Sequence, residues 1–556
     1  MDFDVVVAGA GPTGLMLACE LRLHGAQVVV LERLTEPDTT VKAGSVNVPT
    51  VEALRRRGLL ADLAAVQDAV LADMARLRKP GPDGAPPSLD AMRAGMRKIG
   101  GHFGGLFKLD PSRLDPADED LAITNANAIA TVPQSELERI LADWAARLGV
   151  QVRRGVEVAG FTQDEDGVTV STEVAEAAGA VGAAEAAGAG AAAGAAEAVG
   201  AAEAARVAGI AGAGAVGGGS LRARFLVGCD GGRSVVRKVA GFDFPGTEPT
   251  ITGHQAMVAI DHPERLPTGW TRTDTGMLVH GPMPGRILTV EFDGPPADRD
   301  APVTREELET SLRHVSGADV RITEVRSATR FTDNARQATT YRNGRVLLAG
   351  DAAHVHSPFG GQGLNLGLGD AVNLGWKLAA VATGRAPHHL LDTYTAERHP
   401  IGARVLEITR AQVALMRPGP HTTALREVVS DLIDTADGNA YFVKLIAGLD
   451  QHYDLPGEHR LVGHLMPLLD LADGRTTADH CLPGGPVLFD LADSADLRAL
   501  AGNHARVVTT KAVRDDAPAA LLVRPDGYVV WAADRGDGPA GLAEALDLWC
   551  PPPPNA

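Results

Sequence analysis

The sequence predicts an α/β protein of several domains organised around a Rossmann-like sheet, and three observations predict it. First, a β-branched apolar run leads into Gly9-Ala10-Gly11-Pro12-Thr13-Gly14, and a second apolar run ends at Glu32. This is the strand–turn–helix–strand pattern of a dinucleotide-binding unit. Second, strand-like runs between residues 246 and 330 stand apart from that unit and imply an inserted mixed β-sheet. Third, short apolar runs after residue 486, with the turn Pro525-Asp526-Gly527, imply a small α/β domain near the C-terminus.

The elements follow in order. Residues 3–8 read as a buried parallel strand, 15–24 as a helix and 27–31 as the second strand. Helical sequence recurs at 49–63 and 134–148, and strands at 168–172 and 221–227. Between those strands, residues 174–220 are almost all Ala, Gly, Val and Glu. Such side chains bury too little apolar area to offset the entropy of ordering. The segment reads as a frayed, partly helical loop grown from a hairpin tip. Strands at 255–260, 277–280 and 286–292 form the separate sheet. The strand 345–348 and a long helix at 364–383 return to the first domain, and helical sequence continues to about 448. Residues 454–464 read as a linker, and 505–508, 520–523 and 528–531 as strands of the last domain.

Composition narrows the partners. The 556 residues suit about two to four domains. A formal net charge of −18 repels nucleic-acid phosphates and anionic lipid, so neither nucleic acid nor membrane is an expected partner. Cys19, Cys229, Cys481 and Cys550 form no C-x-x-C pair and suggest neither disulfides nor a metal site. With no signal-peptide pattern and no long bulky apolar run, a reducing cytoplasm is expected.

Three motifs carry chemistry. In the first, Gly9 allows a tight turn, Gly11 admits a pyrophosphate, and Gly14 lets the helix approach the strand. Glu32 can accept hydrogen bonds from a ribose. The second is Cys229-Asp230-Gly231-Gly232-Arg233-Ser234 with Arg237 beyond it, which alone reads as a turn. The third runs from Gly350-Asp351 through His354, His356, Pro358-Phe359-Gly360-Gly361-Gln362-Gly363-Leu364-Asn365 to Asp370 and Asn373. There a carboxylate can bond a polyol, and a glycine run admits a flat ring. The helix that follows points its positive end at the site, where it favours the charge of a reduced flavin.

These motifs, in this order, resemble the class A flavoprotein monooxygenases, including the aromatic polyketide hydroxylases, over about residues 2–400. The resemblance implies non-covalent FAD, with NADPH or NADH and O2 as co-substrates. It places the cofactor against Gly9, Gly11, Pro12, Thr13, Gly14, Glu32 and Arg33. It adds Lys42, where the family usually has arginine, then Gln134, Asp230 and Arg233. The third motif contributes Gly350, Asp351, Pro358, Gly361, Gly363, Leu364 and Asn365, with Pro358 and Phe359 near the flavin. The flavin carries the chemistry, so no catalytic side chain is assigned, and no metal is expected.

The implied reaction is hydroxylation of a polycyclic aromatic polyketide through a flavin C4a-hydroperoxide. Baeyer–Villiger oxygenation is the alternative, and a non-catalytic flavin-binding module the alternative from another class. Phe103, Phe107, Met257 and Leu278 are the expected substrate-lining residues. A homodimer is entertained as the assembly. The tail resembles the thioredoxin-like domain of the same branch; it has no C-x-x-C pair, so disulfide chemistry is not implied. The expected domains are 1–65, 120–245 and 331–400 for FAD; 66–119 and 246–330 for substrate; a helical region and linker at 401–460; and the thioredoxin-like domain at 461–556. A disulfide reductase would need a redox cysteine pair. A flavin halogenase would carry Trp-x-Trp-x-Ile, but every tryptophan here is isolated.

Overall fold

The structure is a computed structural model that describes all residues except 39, 41, 78–87, 91, 93–100, 116, 117, 119, 122–128, 176–218, 282, 284, 300 and 551–556. The Ala/Gly reading therefore falls almost wholly outside the described residues. Its flanks are strands Val168–Val174 and Gly219–Gly228, paired antiparallel with Thr172 opposite Gly219.

Continuous β-branched runs buried on both faces build the central sheet. Its order is Arg342–Asn343, Val346–Leu348, Gly219–Gly228, Phe3–Ala8, Val28–Glu32 and Gln151–Arg154. All neighbours after the first pair are parallel. Helix Pro12–Leu23 packs against both Gln134–Arg147 and Gln362–Ala382. Sequence readings placed that last helix within two residues at each end. The helix expected at 49–63 is two, Val48–Arg56 and Leu60–Leu77. They are broken at Gly58, whose φ of +73° ends the first.

The inserted sheet has the order Gly269–Arg272, Gly276–His280, Arg286–Glu291, Thr252–Ile260, Ile322–Phe331. It is antiparallel throughout rather than mixed. The helical crossover Arg305–Ser316 sets the last strand down beside Thr252–Ile260 instead of beside the strand it left. Helix Arg305–Ser316 covers one face, against Ala256, Val258, Leu278 and Ile287. The other face presents Met277, Val279, Leu288 and Val290 to Phe359, Val413 and Met416.

Helices Asp392–Met416, Pro420–Ile433 and Ala436–Ala447 form a third layer. A short hairpin, His102–Phe103 with Phe107–Lys108, docks there, with Phe103 and Phe107 among Ile408, Leu415, Val443 and Ile446. The C-terminal domain is a four-stranded sheet ordered Arg506–Thr509, Val487–Asp490, Ala520–Val523, Val529–Ala533. Its first two strands are parallel and the rest antiparallel, with helices Ala495–Ala501 and Leu542–Trp549. The stretch read as a linker is tied down at its ends: Tyr453 N donates to Gly463 O, Gly463 N donates to Val529 O, and Tyr453 stacks on Tyr528 at 4.0 Å between centroids.

Candidate active site at the carboxyl ends of the parallel strands

Three adjacent strands, Val346–Leu348, Gly219–Gly228 and Phe3–Ala8, end side by side. Their loops meet because the ladder continues past them: Ala349 N donates to Gly228 O, Cys229 N to Ala8 O and Gly9 N to Leu31 O. All three sequence motifs are thus assembled at one sheet edge, where open α/β sheets bind ligands.

The glycines of the first motif play separable parts. Gly9 has φ +104°, and a Cβ on it would overlap the Cys229 carbonyl. A Cβ on Gly14 would overlap the Gly9 carbonyl oxygen. Gly11 faces open space, with nothing within 4 Å of an added Cβ. Gly11 also caps helix Pro12–Leu23, whose first turn has no side-chain cap, so its N–H groups are presented to that space. The Thr13 side chain lies against Gly350 and Gly367 and joins the first motif to the third. Glu32 accepts hydrogen bonds from Ala10 N at 2.7 Å and Leu34 N at 2.9 Å, which fixes its carboxylate beside the glycine turn.

In the second motif, Asp230 Oδ2 caps the short helix that follows by accepting from Val235 N at 2.7 Å and Val236 N at 3.1 Å. Its Oδ1 is buried and has no partner among the described residues. Arg237 donates to Ala352 O and Gly232 O and lies 3.8 Å over the Phe244 ring, tying the second motif to the third. Arg33 and Arg233 are exposed. Lys42 pairs with Asp38 at 2.8 Å, and Gln134 donates to Glu138 at 2.8 Å.

The third motif divides its two aspartates. Asp351 is exposed at the strand end. Asp370 is fully buried and accepts from Gly350 N at 3.0 Å, His354 Nε2 at 2.7 Å and Arg398 Nε at 2.8 Å. Burial would raise the Asp370 carboxyl, but its contacts with His354 and Arg398 outweigh this and hold it below the usual range. His354 therefore anchors the loop. Burial also pushes His356 below the ordinary imidazole value. Gly360 and Gly361 have φ +80° and +65°, a turn that favours glycine. Gly363 approaches the His356 ring, and Leu364 is half-buried against the central core. The Asn365 side chain accepts from Asn47 N and Thr50 Oγ1 and donates to Gly361 O, so it braces the loop. Pro358 is exposed, while Phe359 is buried edge-on to Trp270 and Phe331.

Of the expected substrate-lining residues, Met257 alternates with Ala256 and Val258 and so lies on the inner sheet face. Leu278 does not: it packs under helix Arg305–Ser316, and its neighbours Met277 and Val279 face inward. Phe103 and Phe107 are likewise turned into the helical layer. From that hairpin it is His102 that reaches the aromatic group beside Phe359, 4.8 Å from Trp270 between ring centroids. Sequence reasoning missed Arg398 and Gln412, both fully buried on helix Asp392–Met416. Their signal is a polar residue on an otherwise apolar helical stripe.

An adenine dinucleotide fits this edge: open space at Gly11, an orphaned acceptor on Asp230 and an exposed carboxylate at Asp351 lie along one row of strand ends. The class so defined is the FAD-binding α/β oxidoreductase. A family model described as FAD binding domain matches residues 2–200 and 181–409, and one described as Aromatic-ring hydroxylase, C-terminal matches residues 459–553. The chain belongs to this family of FAD-dependent aromatic-ring monooxygenases.

Among its relatives, the 12-dehydrotetracycline 5-monooxygenase/anhydrotetracycline 6-monooxygenase of Streptomyces rimosus is 40% identical, covering 100% of both chains. The rifampicin monooxygenase of Streptomyces venezuelae is 38% identical over 98% of each. The solved OxyS anhydrotetracycline hydroxylase from Streptomyces rimosus superposes with a TM-score of 0.80 at 37% identity, covering 100% of both. CabE, an aromatic hydroxylase from angucycline biosynthesis, gives 0.79 at 35% identity, also covering 100% of both. Among the described residues no helix is long and apolar enough to cross a membrane, and no cluster of three His, Cys, Asp or Glu could hold a metal.

Proposed function

We propose that the protein hydroxylates a polycyclic aromatic, polyketide-type small molecule, using O2 and NADPH or NADH, in the cytoplasm. The observation that carries this reading is the aromatic cluster beside the 358–361 turn. There buried Phe359 meets the half-buried Trp270 and Phe331 edge to face, over a sheet face of buried Met277, Val279, Leu288 and Val290. The part-exposed rings favour a flat ring system laid on them, by about 25 cal/mol per Å² of apolar area removed from water. The names of the tetracycline and rifampicin relatives point to the same substrate class.

FAD, when bound, supplies the two-electron and O2 chemistry: one oxygen atom enters the product and the other leaves as water. The chain's own groups do the rest. Asp351 and Asp230 would hold the ribityl chain and neighbouring hydroxyls, and Glu32 the adenosine ribose. Asp370, His354 and Arg398 fix the Gly350–Asp351 backbone. The N-terminus of helix Gln362–Ala382, uncapped by any side chain, would favour negative charge on the bound cofactor. The aromatic cluster would exclude water from the reacting atoms. The strand order of the C-terminal domain supports a thioredoxin-like reading of it, with no redox role because its cysteines form no pair.

The test is turnover of a polycyclic phenol under 18O2 with NADPH, followed by mass spectrometry. One labelled oxygen in a new phenol or quinol is the expected result, and a labelled lactone would establish Baeyer–Villiger chemistry instead. A second reading has its own support. The dialkyldecalin synthase of Streptomyces rugosporus is 35% identical over 99% of this chain, and the solved Diels–Alderase PyrE3 superposes with a TM-score of 0.74 at 32% identity. Conversion of substrate to an isomer without NADPH consumption or label would favour that non-oxidative use of the fold.

A further inference from the structure

Gln412 is fully buried on helix Asp392–Met416, between the 102–108 hairpin and the 358–361 turn. Its Oε1 accepts a hydrogen bond from Gly104 N at 2.9 Å. That bond fixes the sense of the carboxamide, because the flipped amide would set N–H against N–H. Nε2 is therefore turned toward Gly360, where an added Cβ would lie 2.9 Å from it. Among the described residues nothing accepts from this buried NH2 group. Buried donors are nearly always satisfied, and an exception calls for an absent partner.

The surroundings identify that partner. Gly105 lies directly beneath the Trp270 ring, and Trp270 meets His102 and Phe359. Met416 closes the side next to Gly104. The donor thus sits beside this aromatic cluster, against the 358–361 turn. A neutral amide N–H in such a place selects an oxygen acceptor carried on a flat ring.

We propose that Gln412 Nε2 donates to a carbonyl-type oxygen of a ligand held between the hairpin and the 358–361 turn. Two ligands carry that chemistry, a keto or phenolate oxygen of the substrate and a ring carbonyl of the flavin. The inference rests on the substrate reading proposed above.

Two variants separate a ligand contact from a structural tether. Gln412→Glu keeps an acceptor for Gly104 N and removes the NH2 donor. Gln412→Leu removes both. FAD affinity is read by fluorescence titration of the apoprotein. Affinity for anhydrotetracycline, the probe, is read from the perturbed absorption of oxidised holoprotein. Both variants should weaken one of the two affinities about tenfold or more. In Gln412→Glu the lost affinity should recover as the pH falls, because a protonated carboxyl can again donate; wild type should show no such recovery. Loss confined to anhydrotetracycline assigns the bond to substrate, and loss confined to FAD assigns it to the cofactor. If Gln412→Glu binds both as wild type does while Gln412→Leu only lowers the melting temperature, the side chain is a tether for Gly104 and the proposal is overturned. A wild-type protein that fails to bind the probe counts against the substrate reading itself, and the FAD titration then decides the inference alone.

Discussion

Asp351 and Asp370 belong to one motif and are used in opposite ways. Asp351 is exposed, so its removal should leave the fold intact and weaken FAD binding. A charge-assisted hydrogen bond is worth about 1.5–3 kcal/mol, or roughly ten- to 150-fold in affinity. FAD titration of Asp351→Ala apoprotein checks this, and unchanged affinity would remove the residue from the site. Glu307 carries a pH dependence. It accepts two bonds from Arg330, at 2.8 and 2.6 Å, and one contact from His254 at 2.7 Å. Burial raises its carboxyl, but these partners bring it down to about 2. Its folded value lies below the unfolded one, so the stability it contributes is present above about pH 4.3 and is lost as pH falls toward 2. Glu307→Gln should lower neutral-pH stability by about 2 kcal/mol and flatten acid unfolding in that window, as measured by denaturant titration across pH. The sequence made the motif residues legible because their geometry is local. It misplaced Leu278 by one position because a strand reading Met-Leu-Val is apolar on both faces, and parity cannot be read from such a run.

At the scale of elements, the glycine turn is legible in the sequence, and in the structure its glycines do separate work. Gly14→Ala should fail to fold well, since its Cβ overlaps the Gly9 carbonyl. Gly11→Ala should keep wild-type melting of the apoprotein and lose FAD affinity, because its Cβ enters the open space at the helix N-terminus. Equal FAD affinity in Gly11→Ala and wild type would argue against that space as the phosphate site. Deleting residues 177–217 tests the other prominent segment. The strands beside it are already in register, with Thr172 opposite Gly219. Shortening the connection should therefore leave melting unchanged or stabilise by no more than about 2 kcal/mol. A large fall in melting temperature would mean that the segment packs on something. The hairpin at 102–108 was not legible as part of the helical layer, because its apolar partners lie hundreds of residues later in the chain.

Across the whole molecule, the C-terminal domain is locked to the cofactor domain through charges that the sequence presents as an ordinary turn. Arg524-Pro525-Asp526-Gly527 reads as solvent-facing, yet Arg524 and Asp526 are each 1% exposed. Arg524 donates to both oxygens of Glu397, at 3.0 and 2.8 Å, and lies over the rings of Trp376, Tyr453 and Trp549. Glu397 also pairs with Lys377 at 2.9 Å and accepts from Asn373. Arg57 and Arg56 donate to the carbonyls of Pro525 and Asp526. Burial would raise the Glu397 carboxyl, but Arg524 and Lys377 hold it well below the usual range. The same long helix that carries Lys377 begins at the 358–361 turn and carries Asp370, so the seam and the strand-end loops share one rigid element. Arg524→Met should keep the bulk and remove the charge, taking from Asp526 its side-chain ion pair and leaving Glu397 paired with Lys377 alone. A loss of about 3–5 kcal/mol is expected, with the C-terminal domain unfolding before the rest in calorimetry. Glu397→Gln should destabilise comparably. The double variant should lose less than the sum, because the two singles break the same contact. Additive losses would mean that the two residues act independently and that the Arg524–Glu397 contact does not hold the domains together.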